Sequence, residues 1–467
     1  MPAFPPQTYV ARRATLARAV GRGLVVLPGH AHAPMNYAGN VYPFRQDGSF
    51  LYYAGLDAPG LALTLDAESG EATLFGHDPT MDDVVWEGPL PPLAERAAAA
   101  GIRRTAPLAA LAEAVAAAQG AGRTVHLLPP YRAETRLALA RALGAAPDAL
   151  PVSEALVAAV VAQRLVKSGE EVAEIERALE IAAAMHRLAM RHAQPGRTEQ
   201  QVAGAMEGLA LAEGSYPSFP IILTRRGEVL HNHPTAAHLE TGDLLLADAG
   251  AVSPAGRYAA DVTRVAPVGG RFSERQRMLY DVVLAAQEAA IEGMRPGVPF
   301  RDLHLRAARV IADGLTALGL MRGDPAEAVA EGAHALFFPH GLGHALGLDV
   351  HDMEALGEDR VGYDAAHRRA EQFGLRALRF ARPLAPGHVV TVEPGVYLIG
   401  PLVAQWRAAR RHAAFLNYDA IETWVGLGGI RLEDDVLVTE AGARVLGPAI
   451  PKAPAAIEAE VQAGADA

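Results

Sequence analysis

The chain has no cysteine among its 467 residues. That absence excludes disulfides, thiolate nucleophiles and sulfur metal ligands, and it fits a reducing compartment, so a cytoplasmic location is expected. Long apolar runs are also missing: stretches such as "AALAEAVAAAQG" are short and alanine-rich, far from the roughly 20 strongly apolar residues that span a bilayer. The opening "MPAFPPQTYVARRATLARAV" lacks the apolar segment and cleavage site of a secretory signal. Neither membrane insertion nor export is expected. A basic excess is absent as well. The 42 Lys and Arg against 53 Asp and Glu leave a net charge of −11, and no basic stripe is interleaved with aromatics, which excludes the footprint of a nucleic-acid binder.

Half of the residues are apolar, and the length exceeds what one hydrophobic core usually supports, so two globular domains are expected. The first third alternates β-like runs ("GLVVLPG", "SFLYYAGL", "LALTL", "ATLFG", "TVHLLP") with alanine-rich helical segments near residues 91–118 and 132–144. This pattern reads as an α/β domain over 1–150. "GAAPDALPVS" marks the boundary near residue 150, with Ser153 or Ser168 available to cap the following helix. The segment "SGEEVAEIERALEIAAAMHRLAMRHA" then has the three-and-four spacing of an amphipathic helix on a sheet. A second domain is expected over 151–452, with two helix-then-hairpin units, and residues 453–467 as a frayed tail.

Chemistry gathers where carboxylates interrupt apolar strands. In strand geometry Leu244, Leu246 and Asp248 share one face, as do Ala259, Asp261 and Thr263, and the turn-like "AGAVSPAGRY" between them suggests a hairpin. "VVTVEPG" ends an apolar strand at Glu393, and "GGIRLEDDVLV" sets Arg431, Glu433 and Asp435 on one face. Burying four carboxylates together demands compensating positive charge, which two divalent cations would supply. "PHGLGHALGLDVHD" adds His340, His344 and His351 on a glycine-broken backbone that disfavours a helix and permits close approach. Asp248, Asp261, Glu393, Glu433 and one imidazole form an oxygen-rich set suited to manganese, cobalt or zinc. His344 alone reads equally well as a hydrogen-bonded core histidine. There is no HExxH pattern, and "GLGHALG" does not have the spacing of a dinucleotide-binding loop.

With their flanks "LADAG", "DVTR", "HGLGH", "TVEPG" and "IRLEDD", these residues resemble the M24 pita-bread metallopeptidases, and among them the Xaa-Pro branch of aminopeptidase P and prolidase. The resemblance is dense from about residue 160 to 447. It extends through "YPFRQDGSFLYYAGL" and "VVWEGPLP" to an N-terminal domain of aminopeptidase P type, implying an α/β (α+β) chain of that domain followed by a pita-bread catalytic domain. One departure is visible: Asp248 and Asp261 stand two residues further apart than is usual in the family, which a longer turn would absorb.

The resemblance implies two divalent ions, manganese first with zinc or cobalt as alternatives, on Asp248, Asp261, His344, Glu393 and Glu433. It implies that His340 and His351 donate to the scissile carbonyl or oxyanion and that His231, in "EVLHNHP", sits near the leaving proline; neighbouring His233 reads as an exposed loop residue. Glu393 would carry the proton, and Arg431 would steady the ligands or form an ordinary salt bridge. Trp86 resembles a tryptophan that crosses a subunit contact to cap a neighbour's cleft, implying a homodimer or homotetramer, while a core indole is the alternative. The implied substrate is a peptide with proline in second position. Arg379, in "GLRALRFARPLAPG", stands where prolidase grips a dipeptide carboxylate. The N-terminal signatures favour aminopeptidase P, with prolidase as the alternative. A metal-free pita-bread binding protein, a creatine-type amidinohydrolase and a methionine aminopeptidase fit the residues less well.

Overall fold

The computed structural model describes residues 2–465. The chain divides into two compact units: Met1–Arg164 with Met353–Arg360, and Leu165–Asp352 with Val361–Ala467. The break expected near residue 150 therefore falls later. Ser153 Oγ accepts from the Leu156 amide at 3.3 Å and starts the helix Glu154–Leu165, nearly all of which goes with the first unit.

In the first unit a mixed five-stranded sheet runs in the order Arg104–Pro107, Ala72–Gly76, Ala62–Asp66, Leu24–Pro28, Val125–Leu127. The two outer pairings are parallel and the inner ones antiparallel. Leu24, Val26, Val125 and Leu127 pack with Val115 and Leu139 from the helices Leu111–Gly120 and Ala133–Leu143. One expected strand is a helix instead. "SFLYYAGL" lies in and just beyond Gly48–Ala54, because the Asp47 carboxylate accepts from the Phe50 amide at 2.8 Å and caps a turn whose aromatics are buried. A strong local cap overrides the strand preference of an aromatic run. The helical stretch expected over 91–118 is likewise interrupted by the strand Arg104–Pro107.

The second unit repeats one arrangement. Helices Gly169–Arg191 and Glu199–Ala212, each begun by a capping box at Ser168 and Thr198, precede an antiparallel sheet of Ile222–Thr224, Leu244–Ala249 and Val262–Pro267. Helices Glu274–Gly293 and Phe300–Ala317 then precede a second sheet of Val389–Val392, Asp434–Thr439 and Gly442–Val445. In the strands Leu244–Ala249 and Val262–Pro267 every residue is buried, so polar side chains there must find partners inside the protein.

The segment expected to fray is a helix from Pro454 to Ala465. It packs on the helix Gly169–Arg191 and the strand Val262–Pro267, with Ile457 and Val461 fully buried. Their four-residue spacing gives an otherwise alanine-rich stretch one apolar stripe, and Glu460 pairs with Arg187 and with Arg191 at 3.0 Å. Ile457→Ala should cost about 2–5 kcal/mol through the cavity it leaves. A lowered unfolding midpoint is the expected reading, and an unchanged midpoint would show that the helix does not contribute to the core.

Candidate metal centre

Asp248 lies within the strand Leu244–Ala249, directly opposite Thr263 on the antiparallel neighbour, and Asp261 immediately precedes that neighbour. The extra residues between the aspartates close the hairpin tip. The Ser253 amide donates to the Tyr258 carbonyl at 2.8 Å, the Tyr258 amide donates to Ser253 Oγ at 3.1 Å, and Arg257 takes the left-handed conformation with φ 62°. At Gly250 the two chains approach so closely that a Cβ would fall 1.7 Å from the Ala260 carbonyl oxygen. Glu393 follows Val389–Val392 and Glu433 precedes the paired strand Asp434–Thr439, so both sit at the same end of that ladder. The Glu433 amide donates to the Thr263 carbonyl at 3.2 Å, and Thr263 Oγ1 lies 2.7 Å from Glu433 Oε2, which joins the two sheets at the carboxylates.

His344 enters from the glycine-broken loop. A Cβ at Gly343 would stand 2.0 Å from the Thr391 carbonyl oxygen, so glycine is what lets this loop lie against the strand. His344 Nδ1 is 3.1 Å from the Ala345 carbonyl, which can only accept, so Nδ1 carries the proton and Nε2 keeps its lone pair. Nε2 lies 3.4 Å from Asp261 Oδ2 and 3.7 Å from Glu393 Oε1. Asp261, His344 and Glu433 offer ligand atoms all within 4.8 Å of one another. Asp248 and Glu393 line the same cavity of about 440 Å³, as do His231, His340, His351, Arg379 and Arg431.

The donor set suits divalent cations. Burial first, then the Asp248 charge, pushes the Asp261 carboxyl well above the usual carboxylate range. Glu433 is raised well above its ordinary value by burial and by Asp261, Glu393 and Asp248, and burial also raises Glu393. The buried Oδ1 atoms of Asp248 and Asp261 accept no hydrogen bond from the described residues. Such crowding of acceptor oxygens beside a lone pair on imidazole is what cations neutralise.

Arg431 is a cation in direct contact with Asp248. It pairs with Asp248, and its Nε and Nη1 donate to Thr263 Oγ1 at 3.1 Å and the Tyr397 hydroxyl at 3.0 Å. Burial works against its charge, but Tyr397, Asp248, Glu393 and Glu433 outweigh this and raise its pKa well above normal. The Tyr397 hydroxyl lies 2.8 Å from His340 Nε2, and His340 Nδ1 is 2.8 Å from the Gly341 carbonyl. Burial and Arg431 lower the His340 pKa to about 3, so its ring is neutral. With Nδ1–H given to Gly341, Nε2 accepts from Tyr397. Both nitrogens are thus engaged within the protein, and the donation expected from His340 to a substrate carbonyl requires one of these bonds to be exchanged. His351 stacks on His344 with ring centroids 3.9 Å apart.

A Peptidase_M24 model, metallopeptidase family M24, matches residues 173–440, and the aminopeptidase P N-terminal domain model matches 9–126. The chain belongs to metallopeptidase family M24. It is an M24 metallo-aminopeptidase with an N-terminal aminopeptidase P-type domain and a C-terminal pita-bread domain. The Xaa-Pro aminopeptidase of Escherichia coli is 32% identical over 97% of each chain. A probable Xaa-Pro aminopeptidase of Paracoccidioides brasiliensis is 31% identical over 97% of this chain and 96% of its own. The structure of E. coli aminopeptidase P in complex with substrate superposes with a TM-score of 0.81 at 29% identity, covering 99% of this chain and all of that one. Pseudomonas aeruginosa aminopeptidase PepP gives the same score and identity over the whole of both chains.

Tyr397, Thr263 and Thr391, whose hydroxyl accepts from the His344 amide at 3.0 Å, carry no sequence signal of their part in the site. Each sits in an apolar strand, where a hydroxyl gives no signal until its partner is known. His233, read as a loop residue, lines the cavity beside His231. Trp86 is 83% exposed on the helix Met81–Glu87, together with Met81 and Val85, so it is not a core indole.

Protons compete with cations for carboxyls whose pKa values are raised, so divalent-ion affinity should increase as pH rises through that raised range and level off above it. Titration calorimetry with manganese between about pH 5 and about pH 8 should show tighter binding and less proton release at the upper end. Affinity independent of pH across that range would contradict the assigned ligand set.

Proposed function

We propose that the protein is a dimetal Xaa-Pro aminopeptidase that removes the first residue of a peptide when proline follows. The observation carrying this reading is the convergence of Asp261, His344 and Glu433 on one point in a cavity that Asp248 and Glu393 also line. Full-length similarity to Xaa-Pro aminopeptidases supports the same conclusion. Manganese is our first assignment for the metal, and a Zn-substituted E. coli aminopeptidase P shows that the similar protein accepts zinc.

The five ligands fit two divalent ions, which when bound polarise the scissile carbonyl and lower the pKa of the attacking water. Glu393, a carboxylate at the end of the strand Val389–Val392 that lines the cavity, takes the proton from that water and passes it towards the leaving nitrogen. His351 faces the substrate beside His344, and His231 meets the leaving proline from the opposite loop. Arg431 holds Asp248 in place while Tyr397 ties it to His340. The Xaa-Pro bond has no N–H, and proline restricts the preceding residue, so peptidases that grip an extended backbone through that donor lose purchase. Attack at the carbonyl does not depend on it. In our reading the enzyme works in the cytoplasm as a homo-oligomer in which exposed Trp86 caps a neighbour's cleft.

Arg379 supports a second reading, because it lines the cavity where a guanidinium could clamp a dipeptide carboxylate. In a prolidase Arg379→Ala would raise KM for a Xaa-Pro dipeptide by about 2–3 kcal/mol of lost charged hydrogen bonding, and a Xaa-Pro-Yaa tripeptide would be a poor substrate. We expect the reverse: efficient cleavage of tripeptides and longer peptides, with Arg379→Ala costing little on them. Wild-type enzyme that cleaves the dipeptide but leaves the tripeptide intact would make the protein a prolidase.

A further inference from the structure

His231 and His233 reach the cavity from residues 225–235, between the strand Ile222–Thr224 and the stretch leading to Leu244–Ala249. His231 is exposed, and among the described residues its ring makes no hydrogen bond. Its position is therefore set by the backbone that carries it. Both ends of that backbone meet one carboxylate. Glu199, 2% exposed at the start of the helix Glu199–Ala212, accepts at Oε1 from the Arg225 amide at 2.8 Å and Thr224 Oγ1 at 3.1 Å. At Oε2 it accepts from the Thr235 amide at 2.9 Å and Thr235 Oγ1 at 2.6 Å. One oxygen thus holds the start of the loop and the other its end. Asn232, next to His231, donates to Thr224 Oγ1 at 2.8 Å and draws the tip into the same cluster.

Glu199 is not needed to cap its own helix. Thr198 and Gln201 already form the reciprocal capping box, at 3.2 and 2.9 Å. All four of these hydrogen bonds come from Thr224, Arg225 and Thr235, at the two ends of the loop. On the opposite side Gly227 packs so closely on the strand Gly429–Arg431 that a Cβ there would lie 2.5 Å from the Gly429 carbonyl. The loop is thereby held between Glu199 and the strand that bears Arg431.

We propose that Glu199 is a positioning residue which closes the 225–235 loop and so fixes His231, with His233 beside it, against the reaction cavity before substrate arrives. Ordering this loop is then not charged against substrate binding or the transition state. The inference rests on the reading of His231 as a substrate-side residue.

Glu199→Gln preserves shape but turns an amide NH2 towards donors at one end of the loop. Hydrogen exchange across 225–235 should accelerate on the order of tenfold to a hundredfold, as expected for losing hydrogen bonds to a charged acceptor, while exchange in Leu244–Ala249 and Asp434–Thr439 stays at wild-type rates. The kcat/KM on a Xaa-Pro-Yaa peptide should fall by on the order of tenfold, with manganese stoichiometry unchanged. In a His231→Ala background Glu199→Gln should cause no further loss, because it acts through that side chain. Thr235→Val, a change at an exposed position, should reproduce a smaller version of both effects, and Thr235→Ser should restore wild-type behaviour. Unchanged exchange in 225–235, or a full additional loss in the His231→Ala background, would overturn the proposal. A wild-type enzyme inactive on Xaa-Pro peptides would instead refute the functional reading, and the exchange measurement would still decide whether Glu199 holds the loop.

Discussion

Four carboxylates, those of Asp248, Asp261, Glu393 and Glu433, line one cavity, and Arg431 pairs with Asp248 among them. Mutual repulsion at short range inside a protein is costly and calls for compensating positive charge. Burial first, and neighbouring carboxylates after it, raise the Asp261 and Glu433 pKa values, and burial raises that of Glu393. Arg431 is committed to this arrangement, since removing one partner of a buried pair typically costs about 3–5 kcal/mol by stranding the other charge.

The surrounding fold brings these groups together and prevents their separation. Asp248 and Asp261 come from two chain segments that touch at Gly250, and Glu393 and Glu433 from two adjacent strand ends. Thr263 joins the pairs, through its backbone and hydroxyl to Glu433 and through its hydroxyl to Arg431. Behind the site, Asp435 accepts from the Asp261 amide at 3.0 Å. Asp434 stays ionised against burial because Arg264 and Lys452 pair with it. The three consecutive acids of "EDD" therefore do different work: Glu433 faces the cavity, Asp434 faces a basic cluster, and Asp435 holds the backbone of a neighbouring ligand.

Much of this was legible from composition and spacing. Acidic residues inside apolar strands signalled charge compensation, and the absence of cysteine limited the ligands to oxygen and imidazole. The hairpin between Asp248 and Asp261 and the helix capped by Ser168 followed from local pattern alone. Other features were not legible because they depend on distant partners. "SFLYYAGL" became helical through the Asp47 cap. "KAPAAIEAEVQAGADA" looked unstructured because two apolar positions, Ile457 and Val461, are a weak signal until a groove exists to receive them. Tyr397 sits in a short apolar strand whose pattern carries no sign that its hydroxyl links Arg431 to His340. Glu199 lies in the first turn of its helix, where an acid is favourable in any protein, and its hold on the loop depends on residues 25 to 36 positions away.

In our reading this carboxylate cluster holds two divalent ions. Anomalous diffraction at the manganese edge, on crystals of wild-type protein and of Glu433→Ala grown with manganese, tests it most directly. Two peaks per chain are expected between Asp248, Asp261, His344, Glu393 and Glu433 in the wild type, with the loss of at least one in the variant. A wild-type map with no peak among these residues would contradict it.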